Sequence, residues 1–300
     1  MAVYSISDLE RLSGVKAHTI RVWEQRYALL QPKRTSTNIR YYDDSDLRYL
    51  LNVALLNNKG FRISKIAKMS SEEMQTRILE VAEGHSEDNT HIRALTIATM
   101  EMDEYRFDRI IRSRMMQLGF ERMMTEIVYP FLDRISLLWQ SGSVNPAQWS
   151  FITNLIRQKM IVAIDNATLV QGNHAHKFLV YLPEGERQEL SLLFVHYLLK
   201  SRRHQVIYLG QNISLSEVRS AVEIHKPGFI YTMLGDTFDT ASAQRYTTRL
   251  TELFPDVTVL LSGPRVSNTA LASQKRIRIV NSLDATISFL DSQLMEMKRA

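Results

Sequence analysis

The sequence predicts a multidomain protein of the α and α/β classes, with a winged helix-turn-helix head, a helical bundle and a doubly wound parallel α/β domain. Three observations predict this order. Two short helical patterns separated by a glycine-containing turn precede a basic hairpin within residues 1–42. Residues 72–170 carry almost unbroken helical periodicity. Beyond residue 177, short apolar runs alternate with helical stretches.

The composition limits the possible functions. The 300 residues include no cysteine, which excludes disulfides, thiolate catalysis and Cys-ligated zinc or iron–sulfur sites. No run approaches the roughly 20 apolar residues that span a bilayer, and the N-terminus lacks the pattern of a signal peptide. We therefore expect a cytoplasmic protein without a membrane partner. Residues 1–70 hold 12 basic and 6 acidic residues, against 25 and 26 in the remainder, so the excess positive charge lies in the head.

The head begins with two predicted helices. Ser7 and Glu10 have capping-box spacing in the first helix. The turn at residues 13–15 contains a glycine, and the second helix is predicted over residues 19–30, before Pro32. In a helix-turn-helix arrangement, the second helix enters the major groove of DNA. The first helix is predicted from apolar residues at helical spacing, Ile6, Leu9 and Leu12.

A basic hairpin follows the second helix. Residues 33–38 are a polar, basic turn, and the aromatic segment 40–42 favours a short strand. A helix and a hairpin that both carry cations suit the phosphates of duplex DNA. An acidic segment, residues 43–46, begins a third helix that ends near Gly60, and we interpret the next short helix, residues 63–69, as core support.

The segments YSISDLERLSGVKAHTIRVWEQRY, PKRTSTNIRYY and DDSDLRYL resemble the DNA-binding domain of MerR-type transcription regulators. The WEQRY variant is similar to the subgroup that carries a cobalamin-binding sensor domain and represses genes in a light-dependent way. The resemblance implies a sequence-specific regulator, not an enzyme. It implies double-stranded operator DNA as the partner, a homo-oligomer (dimer or tetramer), and an indirect effect on RNA polymerase at the promoter.

The same resemblance implies a set of DNA contacts. Trp23 fits equally well as a core residue of the small domain, so both alternatives stay open for it. The implied contacts are His18, Thr19, Arg21, Trp23 and Arg26 on the recognition helix and Lys33, Arg34, Asn38, Arg40 and Tyr41 on the wing.

The middle of the chain is predicted as a bundle of five helices, at residues 72–83, 89–102, 104–118, 120–140 and 146–168. Asp103 is the expected N-cap of the third, Gly119 its C-cap, and Asn145 the cap of the last. We expect three domains, at residues 1–71, 72–172 and 173–300. The methionines of this region are interpreted as core filling rather than a cofactor site: Met100, Met102, Met115, Met116, Met123 and Met124.

The last part of the chain has the pattern of a parallel sheet. Its strands are apolar on both faces, as strands buried between two layers of helices are. Polar, glycine-containing loops follow the strands and are expected at the ligand-binding edge. The predicted strands are residues 178–182, 206–210, 229–234, 257–263 and 277–280, and the helices are 188–200, 214–225, 242–254 and 283–298.

Residues 76–300 resemble the two-part cobalamin-binding module in length and order. In that family, the loop after the first strand reads Glu-x-His-x-x-Gly, and its histidine is the lower ligand of cobalt. This chain has Glu186, then Gln188 in place of the histidine and Ser191 in place of the glycine. An amide is a poor donor to cobalt compared with imidazole. We therefore predict that the fold is kept without histidine-ligated cobalamin, so that no cofactor is expected, and weaker corrinoid binding, another ligand or no ligand stay open.

Other positions of the module are only partly matched. Trp139 falls where the family has the tryptophan that covers the corrin, whereas Trp149-Ser150 replaces a Glu-His pair. The family's Ser-x-Leu and Gly-Gly motifs are also altered. The ligand-pocket residues implied by the resemblance are Trp139, Trp149, Glu186, Gln188, Ser191, Thr232, Leu234, Ser262 and Gly263.

Two further functions are alternatives for the C-terminal part of the chain. The α/β half could belong to a corrinoid carrier or enzyme subunit, which the missing histidine and the DNA-binding head oppose. The C-terminal two-thirds could instead be an interaction module that joins protomers. We expect His174, His176, His196 and His204 to be surface or half-buried residues rather than metal ligands. The sequence has no phosphate-binding loop, nucleophile elbow or metal triad, so no catalytic or metal residue is predicted.

Overall fold

A computed structural model describes residues 4–34, 38, 40–83, 89–167, 176–235, 237–264, 266 and 276–299. The chain forms two compact units, Met1–Ile152 and Thr153–Ala300. The predicted domain boundaries at residues 71/72 and 172/173 do not coincide with the division between these units. The three-domain division therefore stays a prediction.

The first unit begins with the winged helix-turn-helix head. Its two strands pair antiparallel, with Lys33 opposite Tyr41 and Arg34 opposite Arg40. A further bridge joins Tyr4 to Tyr42, so the segment before the first helix lies beside the hairpin. The elements are α1 (Ile6–Ser13), α2 (Ala17–Tyr27), β1 (Lys33–Arg34), β2 (Arg40–Tyr41), α3 (Asp44–Asn58) and α4 (Ile63–Ile66).

The cap of α1 differs from the prediction. Ser5 is the N-cap: its Oγ accepts from the Asp8 backbone N–H, and the Asp8 carboxylate accepts from the Ser5 N–H. The predicted box of Ser7 and Glu10 is wrong, because both lie inside the helix. Helix α2 also ends earlier than predicted, at Tyr27, where Ala28 adopts left-handed backbone with φ of 51°.

The predicted helices follow in the first unit. Asp103 caps α7 by accepting from the Arg106 N–H, and Gly119 ends it, as predicted. The helix predicted over residues 120–140 contains a π-helical stretch, Met124–Val128, between two α-helical parts. The connection between the first two predicted helices of the bundle, residues 84–88, lies outside the described residues. The elements are α5 (Ser71–Glu83), α6 (Asn89–Glu101), α7 (Glu104–Leu118), α8 (Phe120–Met123), α9 (Tyr129–Ser141) and α10 (Pro146–Asp165), which continues into the second unit.

The core of the head continues into α5. Met74 and Ile78 of α5 are buried with Leu9, Ile20 and Leu50 in one apolar cluster, and α5 also packs against α3 and α9. This shared core explains why the head and the following helices form a single compact unit. The prediction that six methionines fill the core is right for two of them and wrong for four. Met123 and Met124 are buried, whereas Met100, Met102, Met115 and Met116 are exposed.

The second unit is a five-stranded, all-parallel sheet in the order β4-β3-β5-β6-β7. This is a doubly wound order. Because β4 and β5 lie on opposite sides of β3, the direction in which strands are added reverses at β3. The crevice between β3 and β5 is therefore the switch point where such folds bind ligands. The elements are β3 (Lys177–Pro183), α11 (Glu189–Ser201), β4 (Gln205–Ile213), α12 (Leu215–His225), β5 (Phe229–Met233), α13 (Thr240–Leu253), β6 (Thr258–Ser262), β7 (Ile277–Ile279) and α14 (Leu283–Arg299).

The predicted alternation of strands and helices is confirmed. Residues 178–183 of β3 are fully buried, as expected for a central strand covered on both faces. One core lies between the sheet and helices α12 and α13, to which they contribute Val218, Ala221, Ala243 and Leu250. Helix α11 packs against β3, β4 and α14.

Candidate functional site

Helix α2 presents one buried face and one cationic face. Ile20 is fully buried, and Trp23 is 9% exposed in the core of the head. The burial of Trp23 favours its interpretation as a core residue. The predicted DNA-contact residues His18, Arg21 and Arg26 are exposed on this helix, and Thr19 is half-buried. The exposed residues therefore remain available to a ligand such as DNA.

The wing carries further predicted contact residues. Lys33 and Arg34 are exposed, whereas Arg40 and Tyr41 are half-buried. The Arg34 Nη1 donates to Asn38 Oδ1 at 2.5 Å, which links the two sides of the hairpin. The other wing residues between them, 35–37 and 39, lie outside the described residues. The structure thus brings the cationic wing residues together on one antiparallel hairpin.

Lys33 is already paired with an acid. Its Nζ lies 2.6 Å from the Oδ2 of Asp43, the N-cap of α3. The hydrogen bond from Lys33 lowers the pKa of Asp43 strongly, and the same bond raises the pKa of Lys33. Both charges are therefore kept at neutral pH. A phosphate that binds Lys33 must share it with this carboxylate.

The wing is tied to α2 by a buried tyrosine. Tyr42 is fully buried, and its hydroxyl donates to Glu24 Oε1 at 2.5 Å. Burial, followed by the bond to Glu24, raises the pKa of Tyr42, so the hydroxyl remains a donor. Because Glu24 belongs to α2 and Tyr42 follows β2, this bond fixes the hairpin relative to the helix.

Cations beyond the predicted set lie near α4. Ile66 is fully buried, which confirms α4 as core support, but Lys65 and Lys68 are exposed. Together with Arg77 of α5 they line a groove of the first unit. The isoleucines of this segment predict a core helix. The signal for a cationic surface is the pair of lysines between and after them, Lys65 in α4 and Lys68 just beyond it.

In the second unit, Glu186 links the two loops at the switch point. It is 2% exposed and follows β3. Its Oε1 accepts from the Gly235 N–H at 3.0 Å and from the Thr237 hydroxyl, both in the loop after β5. The predicted pocket residue Glu186 is therefore a structural link between the two loops.

Gln188, the residue at the expected ligand position, is the N-cap of α11. Its Oε1 is buried and has no hydrogen-bond partner among the described residues. A Cβ built on Gly235 would overlap Gln188 Nε2 and Glu186 Oε2, so both side chains lie directly against the Gly235 backbone. Gly235 thus belongs to this site, although no motif predicted it. Ser191 lies in the first turn of α11 and is half-buried.

The remaining predicted pocket residues of the second unit lie at the ends of β5 and β6. Thr232 and Leu234 are fully buried, and Ser262 is 8% exposed. The Leu234 N–H donates to the Ser262 carbonyl at 2.8 Å, and a Cβ on Gly263 would overlap the Leu234 carbonyl oxygen. The two strand ends are therefore in direct backbone contact.

The remaining two predicted pocket residues lie in the first unit. The rings of Trp139 and Trp149 have centroids 5.7 Å apart and planes tilted by 44°. Trp139 is 40% exposed. An exposed indole supported by a second indole is suited to contact a flat apolar ligand.

The histidines do not form a metal centre in the described part of the chain, where no group of three or more His, Asp or Glu residues could hold an ion. The expectation that His204 is a surface or half-buried residue is wrong, because it is 3% exposed. His196 is half-buried and stacks on Tyr208, with ring centroids 4.8 Å apart. His174 lies outside the described residues. Within the described residues, no helix combines the length and apolar character that crossing a membrane requires.

Two family models match the sequence. The model for the MerR HTH family regulatory protein matches residues 4–73, and the model for a B12 binding domain matches residues 91–163. The HTH-type transcriptional repressor CarH of Myxococcus xanthus is 30% identical over 233 residues, covering 76% of this chain and 77% of the relative. The repressor CarA of the same organism is 22% identical over 228 residues, covering 75% of this chain and 74% of the relative.

One solved structure supports the fold of the C-terminal part. The monomethylamine corrinoid protein of Methanosarcina barkeri superimposes with a TM-score of 0.51 and 14% sequence identity. The match covers 68% of this chain and 99% of that protein. At this identity, the match shows a shared fold and nothing about the ligand.

Proposed function

Because the chain belongs to the MerR-type transcriptional regulators that carry a B12-binding domain, we propose that α2 and the β1–β2 wing form its operator-binding surface. The remaining helices and the α/β unit act as a sensor and oligomerisation module. The protein works by binding rather than by catalysis, and it acts in the cytoplasm on promoter DNA as a homo-oligomer. Dimeric binding fits the two half-sites that helix-turn-helix proteins read.

One observation carries the proposal for DNA. The exposed His18, Arg21 and Arg26 project from the helix that follows the glycine-containing turn, and the partly buried hydrogen bond between Tyr42 and Glu24 holds the cationic wing against that helix. Arginine binds base edges and phosphates through its planar fork of donors. The wing lysine and arginine, Lys33 and Arg34, supply phosphate contacts that position the helix.

The test is a binding measurement with a labelled duplex from the region upstream of the protein's own gene. Arg21→Ala loses about 1–3 kcal/mol at one operator position if the arginine binds a base, or makes the log–log salt dependence shallower by about 0.9 if it binds a phosphate. Arg219→Ala is the matched control, since Arg219 is an exposed arginine of α12 in the second unit. Equal binding by the two variants would contradict the proposal.

The residues after β3 do not fit a histidine-ligated cobalt. Residues 184–191 contain no imidazole or thiolate, and Gln188 at the expected position offers only an amide. Its Nε2 lies against Gly235 in the interior of the loop pair. Neutral amides are weak ligands for a metal that prefers nitrogen heterocycles or thiolates. We therefore infer that this module senses its signal without a protein side chain bound to cobalt.

A second candidate is a sensor that holds a corrinoid without that bond. The exposed Trp139, paired with Trp149, lies in the segment that matches the B12 binding domain model and favours this candidate. Tryptophan fluorescence tests this second candidate, since it reports whether a corrinoid binds at all. Quenching by hydroxocobalamin that is lost in Trp139→Phe supports corrinoid binding, and equal quenching in both proteins opposes it.

A further inference from the structure

The recognition helix α2 lacks a cap from its own N-cap residue. That residue is Lys16, whose side chain makes no capping hydrogen bond. Ser, Thr, Asp and Asn are the residues that usually accept from the first free N–H groups of a helix. A helix that begins with lysine therefore takes its acceptors from water or from another part of the chain.

Glu10 of α1 supplies that acceptor. Its Oε2 accepts from the Ala17 N–H at 3.0 Å, and its Oε1 accepts from Lys16 Nζ at 3.0 Å. One carboxylate thus binds both the first amide of α2 and the side chain before it. The bond from Lys16, followed by that from Ala17, lowers the pKa of Glu10, which keeps the carboxylate ionised at neutral pH.

The turn between the helices is bonded around the same residue. The Gly14 N–H donates to the Glu10 carbonyl at 2.9 Å, and the Val15 N–H donates to Ser13 Oγ at 3.2 Å. The Glu10 carbonyl therefore takes part in ending α1, while its side chain bonds to the start of α2. These bonds hold the end of α1 and the start of α2 together.

The position of Glu10 also has an electrostatic consequence. The N-terminus of a helix attracts anions, because its free N–H groups and its dipole carry positive charge. In helix-turn-helix proteins this end of the second helix faces DNA. Here a fixed carboxylate occupies it and neutralises Lys16, whose side chain is 81% exposed. The end of the helix that would bind any phosphate is thus already occupied by an internal anion.

We propose that Glu10 is a positioning residue that favours specific over non-specific DNA binding, an inference that rests on the proposed role of α2. It fixes the start of the recognition helix, on which base contacts depend. It also withholds the Ala17 amide and the Lys16 amine from the DNA backbone, which lowers affinity for duplexes of any sequence.

The two functions of the carboxylate are separable by substitution. In Glu10→Gln, the amide oxygen still accepts from the Ala17 N–H, but the negative charge is lost. In Glu10→Ala, both are lost. Glu223→Gln is the control, because Glu223 forms an exposed ion pair with Arg219 on α12 of the second unit.

The experiment measures binding by fluorescence anisotropy with two labelled duplexes across a salt series from 50 to 200 mM. One duplex comes from the region upstream of the protein's own gene, and the other has the same bases in scrambled order. Thermal melting by circular dichroism confirms that each full-length variant is folded. Glu10→Gln keeps the test informative if Glu10→Ala fails to fold.

Both Glu10 variants are expected to bind the scrambled duplex more tightly than the natural protein. The log–log salt dependence of that binding should be steeper by about 0.9, so that the loss of affinity between 50 and 200 mM salt is about threefold larger. Only Glu10→Ala is expected to bind the upstream duplex more weakly. Unchanged binding of the scrambled duplex by Glu10→Gln would overturn the inference, as would an equal loss for both duplexes in Glu10→Ala. If these results occur while Arg21→Ala still weakens binding, the Glu10 inference fails and the role of α2 stands.

Discussion

Gly263, directly after β6, is a position where a side chain would disturb the backbone contact between the ends of β5 and β6. It has a φ of 104°, and an added Cβ would overlap the Leu234 carbonyl oxygen. The strained backbone costs about 1–3 kcal/mol for a residue with a side chain. Relief of the overlap must also lengthen the 2.8 Å bond from the Leu234 N–H to the Ser262 carbonyl, which adds about 0.5–1.5 kcal/mol. Gly263→Ala should therefore lower the free energy of opening at this edge by about 1.5–4.5 kcal/mol.

Gly185→Ala separates the free-energy cost of backbone strain from the cost of the overlap. Gly185 has a φ of 84°, but its nearest atom to an added Cβ is a Thr237 methyl group at 3.8 Å, an ordinary contact. This variant should lose only the strain term, about 1–3 kcal/mol. Amide hydrogen exchange of peptides that cover β5 and β6 reports the opening free energy directly. Equal protection of those peptides in the two variants would refute the claim of backbone contact between Leu234 and Gly263.

Two further predictions concern pH and salt. Burial, followed by the charges of His176 and Arg202, lowers the pKa of His204 to about 4 from an ordinary 6.5, so the unfolded chain binds a proton that the folded chain does not. The free energy of unfolding of the α/β unit should fall as pH falls from 6.5 towards 4. Urea titrations at several pH values should show that this free energy depends less on pH in His204→Phe. The same pH dependence in the variant and the natural protein would contradict the assignment. If the cations near α4 contact phosphate, Lys68→Ala should make the log–log salt dependence of DNA binding shallower by about 0.9. Substitution of the exposed Lys226 in the second unit by alanine is the control. An unchanged salt dependence in Lys68→Ala would limit the DNA contact to α2 and the wing.

The sequence predicts most elements because their periodicity reflects burial. Ile20 and Trp23 are buried on one side of α2, and the apolar run of β3 is covered on both faces. The capping box of α1 was misplaced because two pairs have the same spacing, Ser5 with Asp8 and Ser7 with Glu10. Lys16 is a poor N-cap for α2, and only the structure shows that Glu10 accepts from the first N–H of that helix instead.

The candidate site of the second unit is partly readable from the strand pattern. Residues that follow parallel strands meet at one edge, and this rule places Glu186 and Gln188 at the switch point. The rule does not predict that Glu186 bonds to the loop after β5, since that contact joins residues 49 positions apart. For the same reason, the fit of Gly235 against Gln188 is visible only in the structure.

The central claim is that this regulator has a cobalamin-binding fold without a side-chain ligand for cobalt. The most direct measurement is the absorbance spectrum of the full-length protein after it is mixed with adenosylcobalamin in the dark and desalted, with Gln188→His as the matched variant. The natural protein is expected to retain no corrinoid whose cobalt is bound by a nitrogen atom of the protein. A stoichiometric red species in the natural protein, with the spectrum of cobalt bound to a protein imidazole, would contradict it.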